Sequence, residues 1–73
     1  MKDYHINIFW SDDDEGYIAD IPDLQYCTAF GETPERALAE LRIARALWIE
    51  AALDGGNPVP PPQYRPAIYQ PVA

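Results

Sequence analysis

One cysteine and one histidine, Cys27 and His5, constrain this chain more than any other feature of its sequence. A lone cysteine closes no intrachain disulfide, and one cysteine with one histidine makes no zinc cluster. The chain has 73 residues, and a domain of that size hides only about 60–65% of the surface its unfolded form exposes. Such small domains usually draw on a disulfide, a metal or self-association for stability that the core does not supply. With the first two routes closed, self-association into a dimer or tetramer is the expected one.

The first half of the chain alternates. Tyr4, Ile6, Ile8 and Trp10 point one way and His5, Asn7 and Phe9 the other, the period of a half-buried strand over about 3–10. Ser11-Asp12-Asp13-Asp14-Glu15-Gly16 breaks the pattern as a polar hairpin loop. A second strand is expected over 17–21, with Tyr17, Ala19 and Ile21 on one face. Pro22 and Asp23 interrupt it, because proline has no N–H to give a ladder. A third strand over 26–30 closes at Gly31, completing an antiparallel meander.

The period then changes. Thr33 is a good N-cap and Pro34 suits the first helical position, while Glu35 complements the positive end of the helix. Leu38, Leu41, Ala44, Leu47, Trp48, Ala51 and Ala52 follow at helical spacing. Gly55-Gly56, with Pro58 soon after, stops the helix. A helix over 34–54 is about 30 Å long at ~1.5 Å per residue, enough to cover a three-stranded sheet. Both tryptophans, Trp10 and Trp48, are expected in the core. Six of the eight prolines fall from Pro58 to Pro71. They make 57–62 an extended connector, and a fourth strand over 64–70 is expected at a sheet edge. The fold class is therefore α+β in one domain spanning 1–73.

Charge narrows the partners. Twelve Asp and Glu against five Lys and Arg leave a formal net charge of −7. Phosphate backbones repel such a chain, since nucleic-acid affinity comes largely from cations that neutralise phosphates. Basic proteins attract it instead. An apolar share of 48% separates it from disordered acidic tails. No apolar run follows Met1 and no stretch approaches ~20 apolar residues, so a soluble, cytoplasmic protein is expected.

Several segments resemble a known family in order and spacing. Tyr4 to Trp10, followed by Glu15-Gly16-Tyr17-Ile18-Ala19-Asp20-Ile21-Pro22-Asp23-Leu24, is similar to the N-terminal signature of HicB-like antitoxin domains. Cys27 to Leu38 resembles that family's G-x-T-x-x-x-A segment, here Gly31, Thr33 and Ala37. Leu53 to Pro62 resembles its exit from the helix. The likeness covers roughly Tyr4 to Pro62 and implies a β-β-β-α-β unit related to a truncated ribonuclease H-like fold, usually self-associating. It further implies binding to a small basic HicA-type toxin, an RNA-cleaving protein. Many members carry a C-terminal DNA-binding domain. No such segment follows the proline tail here, so direct DNA binding is not expected.

The residues that carry chemistry are few. Asp12, Asp13, Asp14 and Glu15 crowd one loop, and Asp20 sits within a strand. The loop lacks the alternate spacing and distal glutamate of a calcium site. Two-metal nucleases need carboxylates converging from neighbouring strands, and Asp20, Asp23 and Glu32 are scattered. No catalytic, metal or cofactor residue is therefore assigned. These five acidic residues, Asp12 to Glu15 with Asp20, are instead the expected contacts to a basic protein partner. Cys27 reads as a small buried apolar residue. The expected function is occlusion of a toxin; the alternative is an orphan self-assembling structural or ligand-binding domain.

Overall fold

The structure, a computed structural model, describes residues 3–69. Three strands form in chain order: β1 (Asn7–Ser11), β2 (Gly16–Asp20) and β3 (Thr28–Gly31). They pair antiparallel in the order β1-β2-β3, with Ile8 opposite Ala19 and Ala19 opposite Ala29. Directly opposed residues share a face. One face carries Ile8, Trp10, Tyr17, Ala19, Ala29 and Gly31, and it receives the single long helix, α1 (Pro34–Asp54). The α+β architecture of a meander covered by one helix is thus as the sequence indicates.

The ends of α1 show why it runs over these residues. Thr33 adopts an extended backbone, and its side chain accepts the Arg36 amide at 3.1 Å. This satisfies one of the donors that a first helical turn leaves without partners. At the other end Gly56 takes φ +70°, its amide donates to the Leu53 carbonyl and that of Asn57 to the Ala52 carbonyl. That paired Schellman arrangement needs a left-handed residue, which glycine adopts at little cost.

The core is narrow. Ala19, Ile21, Leu24 and Cys27 from the sheet and its last connection meet Ala37 and Leu41 of the helix. Tyr4, Ile6, Tyr17, Ala29, Ala44 and Trp48 pack around them. Three of the buried residues lie in the β2–β3 connection, which folds as two successive turns. The Leu24 amide donates to the Ile21 carbonyl and the Cys27 amide to that of Leu24. Each turn drops one apolar side chain inward: Leu24 from the first, Cys27 from the second.

Five details depart from the sequence reading. The first strand, expected over about 3–10, pairs only over Asn7–Ser11, so residues 3–6 precede the ladder. Trp10 is 52% exposed rather than core, because α1 lies mainly over β3 and β2 and barely reaches β1. Its indole packs edge-on against Tyr17 at 5.4 Å. Leu47 and Ala51 lie on the exposed side of the helix, while Ala37, outside the expected stripe, is fully buried. The third strand begins at Thr28, since Tyr26 holds φ +65° in the second turn and cannot extend a ladder. Residues 64–69 form no strand either. A 3-10 turn spans Ala67–Tyr69, and Gln70 lies outside the described residues. Pro66 has no amide hydrogen for a ladder, consistent with this.

The tail is nevertheless tied down. The Tyr4 hydroxyl donates to the Pro60 carbonyl, and the Asp23 carboxylate accepts the amides of Gln63 and Tyr64 at 3.1 Å. The His5 and Tyr64 rings pack against each other at 4.9 Å, tilted by 52°.

Candidate partner-binding face

The sheet is apolar on both sides. On the face turned away from the helix, Phe9, Ile18 and Phe30 stand directly opposite one another and form a row across all three strands. Phe9 is 50% and Phe30 43% exposed. Large apolar side chains clustered in solvent mark an interaction surface more often than scattered ones do. Phe30 lies over Gly16, where any Cβ would collide with its ring. Gly16 therefore ends the hairpin loop to make room, while the left-handed turn position is held by Glu15 at φ +53°.

Acidic groups flank this row at both ends. On one side Asn7, Asp20 and Thr28 form the next outward-facing row. Asp20 is partly buried, and its Oδ1 has no hydrogen-bond partner among the described residues. An acceptor shielded from water without a donor is costly, so it favours whatever supplies one. On the other side the hairpin places Asp12 to Glu15 beyond Ser11 and Gly16. Asp12 accepts the Trp10 indole N–H at 2.7 Å, and Asp14 accepts the Ser11 hydroxyl at 2.8 Å. Those two bonds hold the loop; Asp13 and Glu15 make no ion pair among the described residues. The acidic residues expected from sequence thus border a common surface, with the loop and Asp20 separated by the aromatic row rather than joined in one cluster.

Beside the row an open concavity is lined by Phe9, Ile18, Asp20, Tyr26 and Thr28 among others. Tyr26 is 89% exposed although aromatic. It occupies the third position of the Leu24–Cys27 turn, where positive φ calls for glycine or asparagine. The Trp48 indole donates to the Gln25 carbonyl at 2.9 Å and fastens the turn to the helix. A bulky ring held in an unfavourable backbone state, projecting into solvent, is a feature of binding sites.

Sequence reasoning overlooked Phe9, Ile18, Phe30 and Tyr26 as site residues. The signal for the first three was present: both phases of the alternation are apolar, so one helix leaves one face uncovered. Tyr26 had no comparable signal, because its conformation depends on the turn.

Among the described residues no group of three or more His, Cys, Asp and Glu is placed to hold a metal ion. Cys27 is 3% exposed, and burial pushes its thiol above the ordinary value of 9.0, opposed by Arg45 and aided by Asp20. A thiol kept protonated is a poor nucleophile. No helix among the described residues is long and apolar enough to cross a membrane.

Comparison with known proteins gives the family. The profile of a family described as "HicB_like antitoxin of bacterial toxin-antitoxin system" matches residues 4–70. The chain belongs to the HicB-like antitoxin family. One curated relative, the UPF0150 protein ssl0259 of Synechocystis sp., is 44% identical over 45 residues. That alignment covers 62% of this chain and 62% of the relative. No solved structure matches the chain.

Proposed function

We propose that this HicB-like domain binds a small basic RNA-cleaving toxin of the HicA type and acts by covering that toxin's RNA-binding surface. The observation that carries the reading is the Phe9–Ile18–Phe30 row bordered by carboxylates on both sides. An apolar strip buries area on docking, and the flanking Asp20 and Asp12 to Glu15 meet cations that the toxin would otherwise offer to RNA phosphates. Asp20 contributes an acceptor that a docked guanidinium or ammonium satisfies. Tyr26 extends the apolar contact beyond the sheet. The protein has no catalytic part in this scheme; inhibition follows from occlusion, in the cytoplasm. Self-association belongs to the same reading, as the route by which a domain without staples gains stability.

The test is titration of the purified chain into a purified HicA-type toxin, with RNA cleavage as the readout. Stoichiometric suppression is expected, together with weaker binding on Phe9→Glu or Asp20→Asn and an association rate that falls with salt. Binding that survives Phe9→Glu undiminished would remove the outer face from the mechanism. Absence of any complex at physiological salt sinks the toxin reading and leaves a self-assembling domain without a toxin.

A further inference from the structure

The outer face is not uniform. Where the chain leaves β2 and returns as β3, the intervening turns and the outward side chains border a concavity of about 450 Å³. Phe9, Ile18 and Thr28 line it from the sheet, Tyr26 from the second turn and Asp20 from the end of β2. Its volume lies at the small end of ligand pockets and suits one long side chain. The polar groups around it are unequally satisfied. The Thr28 hydroxyl donates to the Ala19 carbonyl at 3.1 Å, and the Ile21 amide donates to the Cys27 carbonyl at 3.1 Å. The Gln25 carbonyl accepts the Trp48 indole N–H at 2.9 Å. Asp20 is the exception: its Oδ1 is shielded from water without a donor, and no cation pairs with it among the described residues. Such a carboxylate gains more from an incoming donor than one already bonded does.

We propose that this concavity takes one arginine side chain of a protein partner, with the guanidinium on Asp20 and its flat face against Tyr26. Three properties select arginine over lysine. The guanidinium is planar and stacks on aromatic faces, whereas an ammonium is a compact point charge. It is also more weakly hydrated, so it gives up water beside Phe9 and Ile18 at lower cost. Its alkyl stem covers apolar surface while the head reaches the carboxylate. The net charge of −7 draws cations of every kind, and Asp20 with Tyr26 decides which one is held. A free small molecule is the weaker occupant, because an open site with one carboxylate must then offset the whole entropic cost of binding. An arginine on a docked protein shares that cost with the exposed Phe9–Ile18–Phe30 row next to it.

The inference rests on the toxin reading only for the source of the arginine, and the site is tested without toxin. N-acetyl-arginine methylamide and its lysine counterpart are titrated separately into the full chain, followed by amide chemical shifts. Saturable shifts at Asp20, Tyr26 and Thr28 are expected in the millimolar range, about fivefold tighter for arginine. Asp20→Asn is expected to abolish them with its circular dichroism unchanged. Tyr26→Gly is expected to bring the two compounds level, while Tyr26→Phe keeps the preference. Purified HicA-type toxin is expected to displace the arginine compound. No saturable shift, equal affinities in the wild type, or binding that survives Asp20→Asn overturns the inference. A toxin complex that leaves the arginine compound bound overturns it as well. An arginine preference in a chain that binds no toxin upholds the site and discards the toxin reading.

Discussion

Gly31 and Ala37 touch backbone to backbone: a Cβ on Gly31 would run into the amide of Ala37. The contact sets how closely α1 approaches β3, and neither side has a flexible atom to yield. Gly31→Ala is therefore expected to destabilise the domain by about 3 kcal/mol, the upper end of overpacking costs. Gly16→Ala meets chiefly the far end of the Phe30 ring, which swings aside into solvent, and about 1 kcal/mol is expected. Urea midpoints of the two variants check the difference; equal losses would refute the account of Gly31.

Leu41 is 1% exposed in the middle of the core, whereas Leu53 on the same helix is 65% exposed. Leu41→Ala removes buried methyl groups and leaves a void, at a cost of about 3 kcal/mol. Leu53→Ala is expected within about 0.5 kcal/mol of the wild type. Thermal unfolding followed by circular dichroism separates them.

Tyr26 sets stability against recognition. Its φ of +65° is unfavourable for a side chain with a Cβ, by about 1–2 kcal/mol. Relief of that strain exceeds the unfolded-state entropy glycine adds, so Tyr26→Gly is expected to stabilise the fold by about 0.5–1 kcal/mol. The same variant loses an exposed ring on the proposed interface, and toxin affinity is expected to fall at least tenfold, about 1.4 kcal/mol. A variant that is both more stable and equally tight in binding would show that Tyr26 has no role in docking.

Cys27 gives a pH dependence of known sign. Burial holds its thiol protonated in the folded chain above the ordinary value of 9.0, with Asp20 adding to the shift and Arg45 opposing it. The unfolded thiol ionises first, so the contribution to stability is full below about pH 9 and is lost as pH rises through the folded value. The melting temperature of the wild type is expected to fall more steeply as pH rises above the ordinary value of 9.0 than that of Cys27→Ala. At pH 8 a thiol reagent should label the native chain far more slowly than the urea-unfolded one.

The fold was largely legible because its signals are local. The Thr33-Pro34 start and Gly55-Gly56 stop bracket α1 as observed, and the alternation through Ile8, Ala19 and Ala29 assigns the helix-facing side. What the sequence did not disclose depends on placement. Trp10 and Leu47 look like core residues by composition, but exposure follows from α1 being displaced toward β3, a matter of where Gly31 allows close approach. Tyr26 looks like the start of a strand until the Leu24–Cys27 turn reverses its φ. Asp20 and the acidic loop were visible as charges, whereas the aromatic row between them emerges only from the strand register.

The hydrogen bond from Tyr4 to Pro60 brings the residues preceding β1 and the post-helical connector side by side. The stretch between them is thereby a closed loop of chain whose clasp lies on the β1 side of the sheet. A nick between Asp13 and Asp14 would open at an exposed hairpin tip. The severed β1 would then be retained twice over, by its ladder with β2 and by the clasp.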